Sequence, residues 1–267
     1  MNKMSDQAYL LNEQYKDSSN LNARIQLHEL FSTNKQGVHS WLFGHYDLSP
    51  QARVLELGCG PATLWVKNLG RIPEGWDITL SDFSPGMLED ARRDLGEYQH
   101  RFKFEVVDAQ SIPFDDESFD AVIANFMLYH VPDRPKAFAE IYRVLKPGGR
   151  FYAATLGKDH LRELDDMVST LTGSERRMGG SAVLGFLLEN GAEQMAPWFP
   201  DVKLHRYGDG LVITEAEPLI AYIRSMSVAF DLDSDNLATF VRQELARDGA
   251  IHVTKDSGMF EAARRDV

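Results

Sequence analysis

The sequence has a single cysteine, Cys59, so no disulfide forms within the chain and a reducing, cytoplasmic setting is expected. Basic residues are scarce. Lys and Arg number 28 against 40 Asp and Glu, a net charge of −12. A nucleic-acid backbone or an anionic lipid surface needs a basic face, so neither is an expected partner. No run approaches the roughly 20 apolar residues of a membrane helix. The opening Met-Asn-Lys-Met-Ser-Asp-Gln lacks the apolar core of a signal peptide. There is no internal repeat, no linker rich in Pro, Gly or Ser, and no His/Cys/Asp/Glu group at metal-ligand spacing, so no metal is expected. What remains is 267 residues, 43% hydrophobic, read as one domain with a real core.

That domain is organised around Arg53–Ala62, Arg-Val-Leu-Glu-Leu-Gly-Cys-Gly-Pro-Ala. Val54, Leu55 and Leu57 read as a buried strand, Gly58 and Gly60 as a turn, and Pro61 as the first turn of a helix. Strand, glycine turn and helix open a doubly wound α/β sheet, which binds ligands at the carboxyl ends of its strands. A Gly-x-Gly alone is also just a tight turn. A dinucleotide fingerprint needs glycine at position 63, where this chain has Thr63, and Glu56 is a poor neighbour for a pyrophosphate.

The rest of the chain sorts by periodicity. Residues 1–47 predict a helical cover, rich in aromatics such as Tyr15, Trp41 and Tyr46. Strands are expected at 53–58, 77–81, 102–107, 119–124 and 150–155, with helices at 61–69, from Ser84 to Leu95, and from Arg134 to Leu145. Pro147-Gly148-Gly149 predicts a helix stop. Residues 156–200 read as an inserted, irregular helical region on the acceptor side. Residues 201–267 complete the sheet through a hairpin at 202–214, helices at 216–226 and 234–247, and a terminal strand pair around Asp256-Ser257-Gly258.

Four strand ends carry glycine or a polar residue: Gly58, Asp82, Asp108 and Asn125. Neighbouring ends of a parallel sheet converge on one crevice. Asp82 lies 22 positions after Gly60, near the interval of an acid that accepts from a ribose diol. The alternative is a helix cap near Ser84, and the two roles are not exclusive. Asp108-Ala109 is placed to meet an adenine amino edge or simply to cap its own turn. Met87 is an adenine flank or a core residue.

Val-Leu-Glu-Leu-Gly-Cys-Gly (54–60), Ser-Asp-Phe-Ser-Pro-Gly-Met-Leu (81–88), Asp-Ala-Gln-Ser-Ile-Pro-Phe (108–114), Ser-Phe-Asp-Ala-Val-Ile-Ala (118–124) and Arg-Val-Leu-Lys-Pro-Gly-Gly-Arg (143–150) stand in order. Over about residues 52–155 this resembles a class I S-adenosylmethionine-dependent methyltransferase, in the branch of the ubiquinone/menaquinone C-methyltransferases and many small-molecule enzymes. The resemblance implies a mostly parallel, seven-stranded Rossmann-like sheet with an antiparallel last strand. It implies that Glu56, Gly58, Cys59 and Gly60 line the methionine part of S-adenosylmethionine. Asp82, with Phe83 beside it, would hold the ribose, Met87 would flank adenine, Asp108 and Ala109 would read its amino edge, and Asn125 and Phe126 would border the sulfonium. The family usually has a third glycine where this chain has Ala62, which predicts a negative φ there. Acids at 56, 82 and 108 suit a cationic cofactor without phosphate.

Two residues are candidates for chemistry. His130, just past the fourth strand, reads as a general base or as a structural histidine. Tyr15 reads as the N-terminal tyrosine that often closes over the methyl group in related enzymes, or as an anchor for the cover. Tyr9, Tyr129 and His160 are lesser candidates, and His28 and His39 read as structural. The leading expectation is methylation of a small, apolar or aromatic acceptor in a pocket between residues 1–47 and 156–200. Methylation of RNA or protein, and a non-catalytic cofactor-binding regulator, are the alternatives. Exchange of the N-terminal cover between two subunits makes a homodimer conceivable.

Overall fold

A computed structural model describes residues 19–173, 185–226 and 234–265. In chain order the elements are α1 (Ser19–Phe31), α2 (Val38–Phe43), β1 (Arg53–Leu57), α3 (Thr63–Val66), β2 (Asp77–Asp82), α4 (Pro85–Leu95), β3 (Phe102–Val106), β4 (Phe119–Ile123), α5 (Arg134–Val144), β5 (Leu145–Leu156), α6 (Arg162–Thr172), α7 (Gly191–Met195), β6 (Lys203–Ile213), α8 (Ala216–Ser225), α9 (Ser234–Asp248) and β7 (Ile251–Ala263). The strands form one sheet in the order β3-β2-β1-β4-β5-β7-β6. Only β7 runs against the others, antiparallel to both β5 and β6.

The order follows from the side chains. Val54, Leu55 and Leu57 of β1 are buried, as a central strand with helices on both faces requires. On one face Leu55, Val122, Phe138, Phe151, Phe199 and Phe260 pack together. On the other, Val54, Trp65, Ile78, Leu80, Tyr152 and Met259 do so with Leu42 and Phe43 of α2. At the edge strand β3, Lys103, Glu105 and Val106 are not buried, and a charged edge resists pairing with another chain.

Leu156 at the end of β5 pairs with Ser257, so residues 251–256 of β7 carry on past β5 with β6 as their strand partner. This extension is wrapped by a third apolar cluster containing Leu27 and Phe31 of α1, Leu164 of α6, Leu219 of α8 and Val241 of α9. Of the N-terminal cover, α1 therefore packs over the carboxyl-end side of the sheet, and α2 against one face of it.

Several expectations need correction. Residues 202–214 are not a hairpin, and 251–263 are not two strands: each stretch is one long strand, paired with the other from Lys203↔Glu261 to Ile213↔Ile251. Gly208 and Gly210 read as a turn but lie inside β6, where their carbonyls accept from the segment after α1. Thr33 N–H donates to the Gly210 carbonyl at 2.9 Å, and Asn34 Nδ2 to that of Gly208 at 2.9 Å. The helix expected at 61–69 is a single turn from Thr63, with Pro61 outside it and a 3-10 turn at Leu69–Arg71. Pro147-Gly148-Gly149 lies within β5, where Gly148 N–H donates to the Arg264 carbonyl and Arg264 N–H to that of Gly149. Phe186, Leu188, Met195 and Phe199 belong to the main core, so the end of the 156–200 region is not merely an insertion.

Candidate active site

The glycine loop is shaped from beneath by its own sheet. After β1, Cys59 N–H donates to the Ser81 carbonyl at 2.9 Å, tying the loop to β2. Gly58 has φ 67° and Gly60 φ 54°. A Cβ on Gly58 would stand 2.8 Å from Met127 Cβ. Glycine at 58 thus admits the loop after β4, in addition to satisfying the backbone. Ala62 overturns the expectation of a negative φ: it sits at φ 60°, ψ 29°, fully buried. The loop keeps the left-handed geometry of a third glycine and holds an alanine in it, at a cost of roughly 1–2 kcal/mol.

Asp82, at the end of β2, joins two loops. Its Oδ2 accepts from Gly60 N–H at 2.9 Å and its Oδ1 from Ser84 N–H at 2.8 Å. Burial raises its pKa, while the backbone N–H groups of Ser84, Gly60 and Phe83 pull it back. The helix cap is Ser84, whose Oγ accepts from Met87 N–H at 3.4 Å, with Pro85 opening α4. Met87 is buried. Phe83 is half-buried beside Asp82. Asp108 Oδ1 accepts from Gln110 N–H at 2.9 Å and its carbonyl from Ser111 N–H at 2.8 Å, which is the turn-capping geometry, with Ala109 buried next to it.

Glu56 is 2% exposed and accepts from the Trp65 indole N–H at 2.5 Å. Burial pushes it up to about 7, against the Trp65 and Asn125 side chains that bond to it. Asn125 follows β4 and donates through Nδ2 to the Tyr46 hydroxyl at 3.0 Å. Its Oδ1 is buried and has no hydrogen-bond partner among the described residues. Phe126 is held at φ 55°, with its N–H on the Ala154 carbonyl at 2.8 Å. Two non-glycine residues in the left-handed region, Ala62 and Phe126, thus flank the same crevice, where stored backbone strain commonly marks function. Cys59 is buried, and burial raises its thiol well above the ordinary range.

His130 closes the 3-10 turn Leu128–His130, its N–H on the Met127 carbonyl at 2.9 Å and its ring 4.5 Å from that of Tyr129. Met127, in turn, overlies Gly58. Tyr15 and Tyr9 lie outside the described residues. Among the described residues no three His, Cys, Asp or Glu side chains group to hold a metal ion. Tyr46, Trp65 and Met127 shape the site and were not read from the sequence. Trp65 and Tyr46 look like ordinary core aromatics, and only their polar ends on Glu56 and Asn125 set them apart.

Residues 55–153 match the family described as Methyltransferase domain. The chain carries a class I S-adenosylmethionine-dependent methyltransferase domain. A ubiquinone/menaquinone biosynthesis C-methyltransferase of Geotalea daltonii is 36% identical over 104 residues, 38% of this chain and 44% of that protein. A demethylmenaquinone methyltransferase of Clavibacter sepedonicus is 43% identical over 98 residues, 37% of this chain and 38% of that protein. The match thus spans less than half the length of either relative. Among solved structures, a phosphoethanolamine N-methyltransferase of Haemonchus contortus in complex with S-adenosyl-L-methionine superposes with a TM-score of 0.58 at 19% identity, covering 97% of this chain and 60% of that one. The [4+2]-cyclase SpnF does so with a TM-score of 0.56 at 20% identity, covering 86% of this chain and 81% of that one. At such identities the superpositions establish the fold of the methyltransferase domain.

The donor set of the methyltransferase domain fits S-adenosylmethionine. Carboxylates at 56, 82 and 108 offer acceptors to hydroxyl and amino groups and a negative field to a sulfonium. The unpartnered Asn125 Oδ1 adds one further acceptor at the end of β4.

Proposed function

We propose that this protein transfers the methyl group of S-adenosylmethionine to a small, apolar or aromatic acceptor. The observation that carries this reading is the Asp82 clamp: one carboxylate at the end of β2, bonded through separate oxygens to Gly60 and Ser84, with lone pairs left for a diol. When bound, the cofactor supplies a methyl electrophile on a positive sulfur, open to in-line displacement. Asp82 holds the ribose side, and Met87 and Ala109 with Asp108 form the adenine side. Glu56 and Asn125 present negative charge and an acceptor to the sulfonium end. The protein's main task is then alignment, which contributes up to roughly 7–11 kcal/mol.

His130 takes the acceptor's proton, from a turn that the Met127 contact fixes over the glycine loop. The acceptor lies on the extension of β6 and β7, between the N-terminal helices and α6, where the third apolar cluster supplies its walls. No helix among the described residues is long and apolar enough to cross a membrane, and a cytoplasmic enzyme that acts on a small molecule, not nucleic acid, suits the acidic balance. The test is transfer of labelled methyl from S-adenosylmethionine to a panel of phenols and reduced quinones, beside tRNA and protein controls. Label on the macromolecules alone would sink the small-molecule reading.

A further inference from the structure

A polar cluster outside the cofactor crevice sits on the extension of β6 and β7. Lys255 and Asp209 are paired in register across the two strands. The ammonium donates to the Asp209 carboxylate and, at 3.3 Å, to Ser32 Oγ. Both side chains are almost wholly buried, so the positive charge is neutralised in place. His160, just beyond β5, accepts from Asp256 N–H at 3.2 Å through Nδ1. That bond leaves the proton of a neutral imidazole on Nε2, which is then a donor. The His28 ring, on α1, has its centroid 6.4 Å from that of His160 and stands edge-on to Tyr222 at 5.9 Å. His28 Nδ1 is buried with no hydrogen-bond partner among the described residues. Burial first, and then the Lys255 charge, push both imidazoles down, His28 to about 3 and His160 to about 4. Both are therefore uncharged near neutral pH.

An unpaired polar atom of this kind costs about 1–3 kcal/mol unless something bonds to it. The surroundings are apolar, with Leu27, Leu161 and Ile223 in the same cluster. Only β5 separates β4 from β7. The register puts Asn125 level with Met259 of β7, and Asp256 lies three residues further along, so two strand spacings across and about 10 Å along the strand set the cluster roughly 14 Å from Asn125, a span for an elongated ring-bearing molecule.

We propose that His28 and His160 together bind an uncharged hydroxyl of the methyl acceptor, at the end of a ring-bearing apolar molecule. This rests on the small-molecule reading and names the polar group of that acceptor. A hydroxyl accepts from His160 Nε2–H and donates to His28 Nδ1 at once. A carboxylate has no proton to donate, and the nearby ammonium is already held by Asp209 and Ser32.

The experiment titrates the full chain, saturated with S-adenosylhomocysteine, with 1-naphthol and with 1-naphthoate by calorimetry. The expected result is naphthol binding at least about tenfold tighter than naphthoate. His28→Phe and His160→Phe should each weaken naphthol about tenfold, with S-adenosylhomocysteine affinity unchanged. In the wild type, the imidazole ¹⁵N signals of His28 and His160 should move with naphthol, which reads the contact without a substitution. Naphthoate binding as tightly as naphthol, or naphthol leaving both signals unmoved, would overturn the assignment. A wild type that fails to bind S-adenosylhomocysteine overturns the cofactor reading, and this one with it.

Discussion

The Gly60 N–H donates to Asp82 Oδ2 at 2.9 Å, so the glycine loop after β1 is fastened to the end of β2 by the same carboxylate proposed to hold the cofactor's ribose. The bond couples loop shape to ligand binding. Asp82→Ala leaves the N–H groups of Gly60 and Ser84 without their acceptor. We expect a loss of about 1–2 kcal/mol in stability by urea unfolding. Asp82→Asn keeps one oxygen acceptor and should lose less. Equal stability of wild type and Asp82→Ala would show that the clamp does not organise the loop.

Ala62 in the left-handed region sets three small effects against one another. Glycine there would relieve about 1–2 kcal/mol of strain. It would add about 0.5–1 kcal/mol of unfolded-state entropy and give up about 0.8 kcal/mol from the buried methyl. Ala62→Gly should therefore be close to neutral, within roughly 0.5 kcal/mol, although a buried Ala→Gly change ordinarily destabilises. Ala62→Val, with a branched Cβ at positive φ and no room, should cost several-fold more than the strain alone. Urea midpoints of the two variants decide the point.

Glu56 gives a pH signature. Its folded pKa of about 7 lies above the ordinary value of 4.5, so the folded protein holds an extra proton between those limits. By linkage, this group's contribution falls as pH rises through that window and is flat above it. The total is roughly 3 kcal/mol at about 1.4 kcal/mol per pH unit. Glu56→Gln removes the ionisation, so its stability relative to wild type should rise from pH 5 to pH 8. A difference that does not change with pH would mean that Glu56 is not the titrating group. Binding of a sulfonium should favour the carboxylate, so affinity for S-adenosylmethionine should climb toward pH 7 in the wild type and stay level in Glu56→Gln.

His130→Ala should lower turnover by about 10²–10⁴-fold while leaving affinity for S-adenosylhomocysteine unchanged. Undiminished turnover would return His130 to a structural role beside Tyr129.

The core from β1 to β5 was legible because β1 to β4 are short and lead into glycine or a polar residue, and the helices after β2 and β4 open on a side-chain cap. Ser84-Pro85 marked the start of α4, and the helix read from Arg134 begins there. The later chain was harder because glycine there means something else. Gly208 and Gly210 stand inside an edge strand, their carbonyls accepting from Thr33 and Asn34, and Gly258 lets β6 pass so close that a Cβ would lie 2.4 Å from the His205 carbonyl. Local sequence cannot separate that use from a turn. In the site, the acids at strand ends were readable from spacing. The left-handed Ala62, Met127 over Gly58 and the Tyr46 bond to Asn125 depend on contacts between distant segments. His28 illustrates the same limit: alone it is an unremarkable helix residue, and its meaning comes from His160, 132 positions later (160 − 28).

The most direct measurement is calorimetric titration of the wild type and of Asp82→Ala with S-adenosylmethionine and with NAD. We expect the wild type to bind S-adenosylmethionine and not NAD, and Asp82→Ala to bind S-adenosylmethionine about 10- to 100-fold more weakly. Binding of NAD in its place, or an Asp82→Ala variant with wild-type affinity, would contradict the assignment of this crevice to a sulfonium cofactor.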